Sequence, residues 1–207
     1  MDREASWAAS GRGTVIVAGR STRSLGVRGS ETVERALTFI KARPEDVSLI
    51  TGLVNSAYRG DSSRAGWTSE ADLFDGPRTD ENEIRGLINS HQSMLLLCME
   101  ATELVGSVLL RKKGTCGYLG MLVIRPRLQG AGIGSRLMAA AELAARDAWN
   151  ITKMSMTVIG CRHELIAFYE RRGYRRTGQI ESLPLGALSV PRVSDLELEV
   201  LEKDLAE

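Results

Sequence analysis

Gln129-Gly130-Ala131-Gly132-Ile133-Gly134-Ser135-Arg136 places three glycines at alternate positions between a strand-like run and a helix-like one. Lacking a Cβ, glycine lets the backbone take positive φ and approach a ligand closely. The first N–H groups of a helix have no partner inside it and together carry about half a positive charge. A strand, a glycine turn and a helix N-terminus therefore make a cradle for a phosphate group. Two common phosphate motifs do not fit. A dinucleotide fingerprint needs a glycine or alanine where Ser135 stands, and a P-loop needs a lysine after its last glycine. The three cysteines, Cys98, Cys116 and Cys161, form no CxxC pair, and Cys161 with His163 lacks the second ligand pair of a zinc site. No metal is expected.

The elements that must position this loop follow from periodicity. Ala36 to Lys41 alternates as a strand. Pro44-Glu45-Asp46 opens a helix in which Val47, Ile50, Leu53, Val54 and Ala57 keep helical spacing to Tyr58. The polar stretch from Arg59 to Asp80 has little periodicity, is long for a structureless loop and so reads as functional. Thr79 or Asp80 caps a helix from Glu81 to about His91. His91 and His163 read as surface or capping residues. Met94–Glu100, Leu104–Lys112 and Gly117–Ile124 read as a strand meander, and Pro126 ends the third strand. A helix is expected from about Gly132 to Trp149, a strand over 153–159, a helix over 164–172, a strand from Tyr174, a loop over 183–191 and a last alternating strand over 196–200. The order is β-αα-βββ-α-β-α-β-β, a mixed α/β class.

Composition bounds the function. The chain has 207 residues, 43% hydrophobic and 26% charged, with a net charge of +1. That fits one soluble domain, expected over 35–207, and no global field that draws it to nucleic acid or anionic lipid. The longest clean apolar run, Met94 to Met99, is far below the roughly 18 residues that a membrane span needs. Sparse cysteine points to a reducing, cytoplasmic setting. Residues 1–34 are rich in Arg, Ser and Gly and are expected to form a disordered arm. An organelle-targeting segment has similar composition and is the minority alternative.

The loop in its setting is similar to the acyl-CoA pyrophosphate loop of the GNAT superfamily of N-acyltransferases. The family's R/Q-x-x-G-x-G/A reads here as Gln129 to Gly134. Tyr118 to Pro126 resembles its fourth strand and the Pro-ended stretch after it. Arg162 to Tyr174, with Phe168-Tyr169-Glu170 and Gly173-Tyr174, resembles its second signature, and Arg162 stands where the family often has Asn. The resemblance implies a central sheet whose fourth and fifth strands splay apart around acetyl-CoA. The backbone of Leu122, Val123 and Ile124 would pair with the pantetheine amides, and N–H groups from Gln129, Gly130, Ala131, Gly132, Ile133, Gly134 and Ser135 would hold the pyrophosphate. Tyr169 would be the general acid for the leaving thiolate, since a phenol is protonated at neutral pH. Acetyl transfer would go to a primary amine by direct attack, with a small-molecule acceptor favoured over a peptide.

The base is open. The family often has a Glu on its fourth strand, where this chain carries Tyr118, Gly120 and Met121. Asp61, Glu70, Asp72 and Asp75 are the remaining candidates. Tyr58, Arg64 and Trp67 are expected to face the acceptor, with Arg64 able to pair with a substrate carboxylate. The alternative reading is a non-catalytic acyl-CoA-binding module. The chain is expected to be a monomer or homodimer.

Overall fold

The computed structural model describes residues 36–183, 188–194 and 196–205 in full, and the backbone of 14–15. In chain order the elements are β1 (Thr14–Val15), β2 (Leu37–Lys41), α1 (Val47–Tyr58), α2 (Gly60–Ser63), β3 (Phe74–Asp75), α3 (Glu81–Asn89), β4 (Ser93–Glu100), β5 (Glu103–Lys113), β6 (Cys116–Ile124), α4 (Ile133–Trp149), β7 (Lys153–Ile159), α5 (His163–Glu170), β8 (Arg175–Ser182), β9 (Val190–Pro191) and β10 (Glu197–Asp204). Short 3-10 turns at Pro44–Asp46 and Pro126–Leu128 lead into α1 and out of β6. The expectation of a disordered arm falls almost wholly outside the described residues. Within that stretch, Thr14–Val15 pairs with Ile40 and Phe39 of β2.

Eight strands form one sheet in the order β1-β2-β4-β5-β6-β7-β10-β8. All neighbours are antiparallel except β6 and β7. The sheet is therefore mixed, the expected class, with helices on both faces. On one face α4 buries Ile133, Leu137, Met138, Ala140, Ala141 and Ala144 against Val105, Val108, Leu110 and Leu119. On the other, Ile50, Leu53 and Val54 of α1 and Ile84 and Leu87 of α3 pack on Leu95, Leu97, Leu109 and Val123. Alternating side chains of β5 thus feed two cores, which is why this strand reads as a nearly continuous apolar run.

Two irregularities set up the site. First, β6 and β7 pair in parallel only at Cys116↔Lys153, Gly117↔Met154 and Tyr118↔Ser155. Beyond Tyr118 the strands part, leaving the C-terminal half of β6 open on that side. Second, β5 pairs β6 at Leu109↔Gly120 and next at Ser107↔Val123, so β6 carries one extra residue. Met121 absorbs it with φ of 45°, in the left-handed region that side chains rarely adopt. A strained residue at the mouth of an opened strand pair marks the place where backbone direction matters.

The polar 59–80 stretch is shorter on irregular structure than the sequence suggests. It holds α2 and β3, and β3 pairs with β9 in a separate two-stranded sheet. Ser189 donates to the Pro77 carbonyl at 2.8 Å, Arg192 N–H donates to the Leu73 carbonyl at 2.8 Å, and the Arg192 guanidinium pairs with Asp75 at 2.6 Å. The two loops therefore form one roof over the splayed strands.

Candidate functional site

The open strand pair leads into two clefts. The larger, about 750 Å³, lies between α1, the start of α3, β6, β7 and the roof. The smaller, about 320 Å³, is lined by Leu122 and Ile124 of β6, by Gln129, Gly130, Gly132, Gly134 and Ser135, and by Phe168, Tyr169 and Arg172. Leu122, Leu165 and Tyr169 line both, so the clefts meet at these three residues.

The glycine loop has the geometry of a cradle. Gly130 has φ of 83° and Gly132 of 78°, and a Cβ at either position would meet no atom within 4 Å. Their glycine character thus answers a backbone requirement, and the space over them is open. Gly132 caps α4, whose N-terminus receives no side-chain hydrogen bond from its cap. Ser135 Oγ is held by Arg172 Nε at 2.9 Å, and the Arg172 guanidinium lies 3.5 Å from the centre of the Phe168 ring. A cation and free helix N–H groups facing one small cleft suit a pyrophosphate.

The contacts expected at the cradle are backbone ones, and the side chains behind them differ in burial. The side chains of Val123 and Ile133 are in the core, with exposures of 0% and 2%, and Ala131 is exposed. On β6, Arg125 N–H donates to the Val105 carbonyl, and Val123 pairs with Ser107. Strand alternation then turns the polar groups of Ile124 to the open side. Gln129 Nε2 reaches the Ile124 carbonyl at 3.0 Å, and the Tyr58 hydroxyl donates to the Leu122 carbonyl at 3.3 Å. Leu122 and Ile124, not Val123, therefore present their backbone to the cleft.

Gln129 does more than its backbone role. Its Oε1 accepts from Trp67 N–H at 2.8 Å, and its Nε2 donates to Thr68 Oγ1 at 2.9 Å. The side chain staples the roof to the cradle. A Cβ on Gly66 would sit 2.6 Å from that same Oε1, so Gly66 makes room for the staple. Arg162 holds the roof from the other side: its guanidinium donates to the carbonyls of Trp67 at 2.7 Å and Ser69 at 3.0 Å, and pairs with Glu164 at 2.8 Å. Arg162 is 8% exposed and lines the larger cleft. Its bonds are spent on the roof, which gives the departure from Asn a local explanation. The sequence had flagged the position without this role.

Tyr169 is buried between Phe168 and Tyr174, edge-on to both rings at 5.3 and 6.1 Å. Its hydroxyl has no hydrogen-bond partner among the described residues and it borders both clefts. Burial pushes its pKa well above that of an ordinary phenol, with negative charge on the neighbouring Tyr58 and Tyr118 hydroxyls adding to the effect. Burial raises Tyr58 likewise, helped by Glu70. Both hydroxyls are proton donors across the physiological range.

The acceptor-side expectations divide. Tyr58 lines the larger cleft. Trp67 lines the smaller one, its ring tilted against that of Phe168 at 5.3 Å, so it flanks the cradle and not the larger cleft. Arg64 lines neither: it is half-exposed on the outer surface and bidentate to Asp72 at 2.7 and 3.1 Å. That pair leaves Arg64 turned away from the clefts. Of the four candidate acids, Asp61 is fully exposed, Asp72 is held by Arg64 and Asp75 by Arg192. Glu70 alone lines the larger cleft, its Oε2 held by Arg59 Nη1 at 2.7 Å in a largely buried pair. His91 and His163 are both exposed.

Known proteins share this fold. The family model described as Acetyltransferase (GNAT) family matches residues 63–174. The blasticidin-S acetyltransferase of Streptomyces morookaense is 31% identical over 99 residues, which is 48% of this chain and 71% of that protein. Among solved structures, Ard1 from Thermoplasma volcanium superposes with a TM-score of 0.62 at 18% identity, over 83% of this chain and 99% of its own. A spermidine N-acetyltransferase chimera of Vibrio cholerae and hSSAT sequences superposes with a TM-score of 0.59 at 17% identity, over 81% and 95%. The structural likenesses establish the fold, and the family model spans more than half of the chain, from the end of α2 to Tyr174 just after α5. This chain belongs to the GNAT family of acetyltransferases.

Proposed function

We propose that the protein transfers an acetyl group from acetyl-CoA to a primary amine by direct attack within a ternary complex, and that the acceptor is a small molecule. The observation that carries the reading is the meeting of two clefts at Leu122, Leu165 and Tyr169. One cleft has the chemistry for a pyrophosphate and the other has the size of a small-ligand site.

The chemistry at the junction is simple. The acceptor nitrogen attacks the thioester carbon, a C–N bond forms, and the carbonyl oxygen gains charge. The N–H of Leu122 faces that oxygen in this reading, and one oriented donor lowers such a barrier by about 2.7–4 kcal/mol. The C–S bond then breaks, the thiolate takes the proton of Tyr169, and the N–H proton that the acylated nitrogen loses restores the Tyr169 hydroxyl through solvent. A free amine with a pKa near 10.4 is only about 0.04% neutral at pH 7, so its extra proton must leave before attack. Glu70 is the candidate acid on the cleft wall to receive it, directly or through water. No nucleophilic side chain is required, so the three cysteines take no part.

A second reading, a non-catalytic acyl-CoA binder, draws on one observation: β6 offers Tyr118, Gly120 and Leu122 to the larger cleft and no carboxylate. Thiol release from acetyl-CoA in the presence of a panel of primary amines separates the two. Amine-dependent release supports transfer, and binding of acetyl-CoA without release under every amine supports the binder.

A further inference from the structure

The larger cleft carries more charge than the transfer reaction uses. Its wall includes Arg59, Arg78, Arg111 and Arg162, with Glu70, Asp80 and Glu83. Most of these charges are answered within the chain. Arg59 holds Glu70. Arg162 is spent on Glu164 and two roof carbonyls. Asp80 Oδ1 accepts from the Glu83 N–H at 2.7 Å as the cap of α3, and Glu83 accepts from Thr79 Oγ1 at 2.8 Å. Both acids lie at the N-terminal end of a helix, Asp80 as its cap and Glu83 in its first turn, where negative charge is favoured.

Arg78 and Arg111 are different. Neither guanidinium makes a hydrogen bond or ion pair among the described residues. Arg78 is half-buried, with its guanidinium 5.7 Å from the centre of the Tyr58 ring. Its backbone is fixed, since Asn55 Oδ1 accepts from the N–H groups of Arg78 at 2.7 Å and Thr79 at 3.2 Å. Arg111 lies on β5 directly across from Tyr118 of β6, and cross-strand partners share a face, here the cleft face.

We propose that the acceptor amine also carries an anionic group, a carboxylate or a phosphate, and that Arg78 and Arg111 bind it. This rests on the transfer reading above and names its substrate class. Tyr58 links the two ends of the site: Arg78 lies beside its ring, and its hydroxyl touches the Leu122 carbonyl at the junction of the clefts. The anion therefore sits about one tyrosine side chain away from the reacting nitrogen. A purely cationic amine would meet two uncompensated guanidinium groups, whereas an amino acid or a phosphorylated amine neutralises them through planar, paired hydrogen bonds. The role expected of Arg64 from sequence passes to these two arginines.

The test uses the full chain, acetyl-CoA and matched amines: β-alanine against β-alaninamide, phosphoethanolamine against ethanolamine, and spermidine as the all-cationic member. The proposal expects the anionic member of at least one pair to exceed its neutral partner and spermidine in kcat/KM by about tenfold or more. Which pair shows the preference distinguishes carboxylate from phosphate. In Arg78→Gln, Arg111→Gln and the double variant that ratio should collapse toward one, chiefly through KM, while Arg78→Lys retains part of it. Acetyl-CoA affinity, read by calorimetry, reports that each variant is folded. Preference for the neutral members or spermidine, or a ratio that survives in the double variant, overturns the proposal and leaves the transfer reading standing. Acetyl-CoA binding with no turnover of any amine overturns the transfer reading and this proposal with it.

Discussion

Replacing Tyr169 by Phe removes one oxygen and very little else. The ring contacts with Phe168 and Tyr174 remain, because they involve ring faces and edges and not the hydroxyl. No group in the described chain loses a hydrogen bond, so no buried partner is left unsatisfied, and the thermal midpoint should stay within about a degree or two of wild type. Acetyl-CoA affinity should also hold, since the cradle is made by the glycine loop and Arg172. What changes is the step in which sulfur leaves. A positioned general acid contributes roughly 10²–10⁴ in rate. Thiol release at saturating acetyl-CoA and amine should fall by that order, equivalent to about 3–5 kcal/mol in the barrier. Because burial raises the Tyr169 pKa above the usual value near 10, the wild-type kcat should show no alkaline limb assignable to this group below about pH 10. An unchanged kcat in Tyr169→Phe would refute the role. So would a fall in kcat matched by an equal loss of acetyl-CoA binding, which would make Tyr169 a binding residue.

Other perturbations address the scaffold around that step. Gly132→Ala puts a side chain at φ of 78°, which costs about 1–2 kcal/mol, so acetyl-CoA should bind roughly 5- to 30-fold more weakly by calorimetry. Gly134→Ala places a Cβ at ordinary contact distances of 3.6 and 3.7 Å from Ile124 and Phe168, and its thermal midpoint should stay near wild type. Gln129→Ala deletes three hydrogen bonds that join roof and cradle, and denaturant titration should show a loss of about 1.5–4.5 kcal/mol. Arg192 holds the Asp75 carboxyl below the usual carboxylate range. The stabilising effect of that pair is present above the unfolded pKa near 3.9 and is lost as pH falls through the lower folded value. Protease nicking of the roof should therefore rise under acid in wild type, and Asp75→Asn should show the raised nicking already at neutral pH. At the alkaline end, burial raises the Cys98 thiol to about 12, so folded stability should decline as pH climbs through the range between the free-thiol value and 12, and Cys98→Ala should flatten that decline.

Local signals explain what the sequence made legible. The glycine loop and α4 are contiguous, and positive φ at Gly130 and Gly132 is the conformation that glycine spacing anticipates. Helices α1 and α3 follow from periodicity, and Asp80 is the cap because its side chain reaches Glu83 N–H. The parts that escaped depend on distant partners. The sequence marks a start for β8 but no end, because all of Arg175–Ser182 is exposed at the sheet edge, where no buried face imposes alternation. The β3–β9 pair consists of two-residue strands more than a hundred positions apart, too short for any period to register. Arg64 and Arg78 are chemically alike and close in sequence. Only the tertiary bonds separate them: Asp72 takes the first, and Asn55 turns the second along the cleft. In the same way Glu70 differs from Asp61, Asp72 and Asp75 by position alone. The Gln129 side chain had no sequence signal beyond its place in the motif, since its partners Trp67 and Thr68 lie about sixty residues earlier.

The central claim is that the glycine cradle and the opened β6–β7 pair hold acetyl-CoA beside a second cleft for the amine. Calorimetric titration of the purified chain with acetyl-CoA, with ATP as the control ligand, tests it most directly. The account predicts one site of micromolar affinity for acetyl-CoA and no comparable binding of ATP, because the open edge of β6 is matched to pantetheine amides that ATP lacks. A folded protein that gives no binding heat with acetyl-CoA, or that binds ATP equally well, would contradict it.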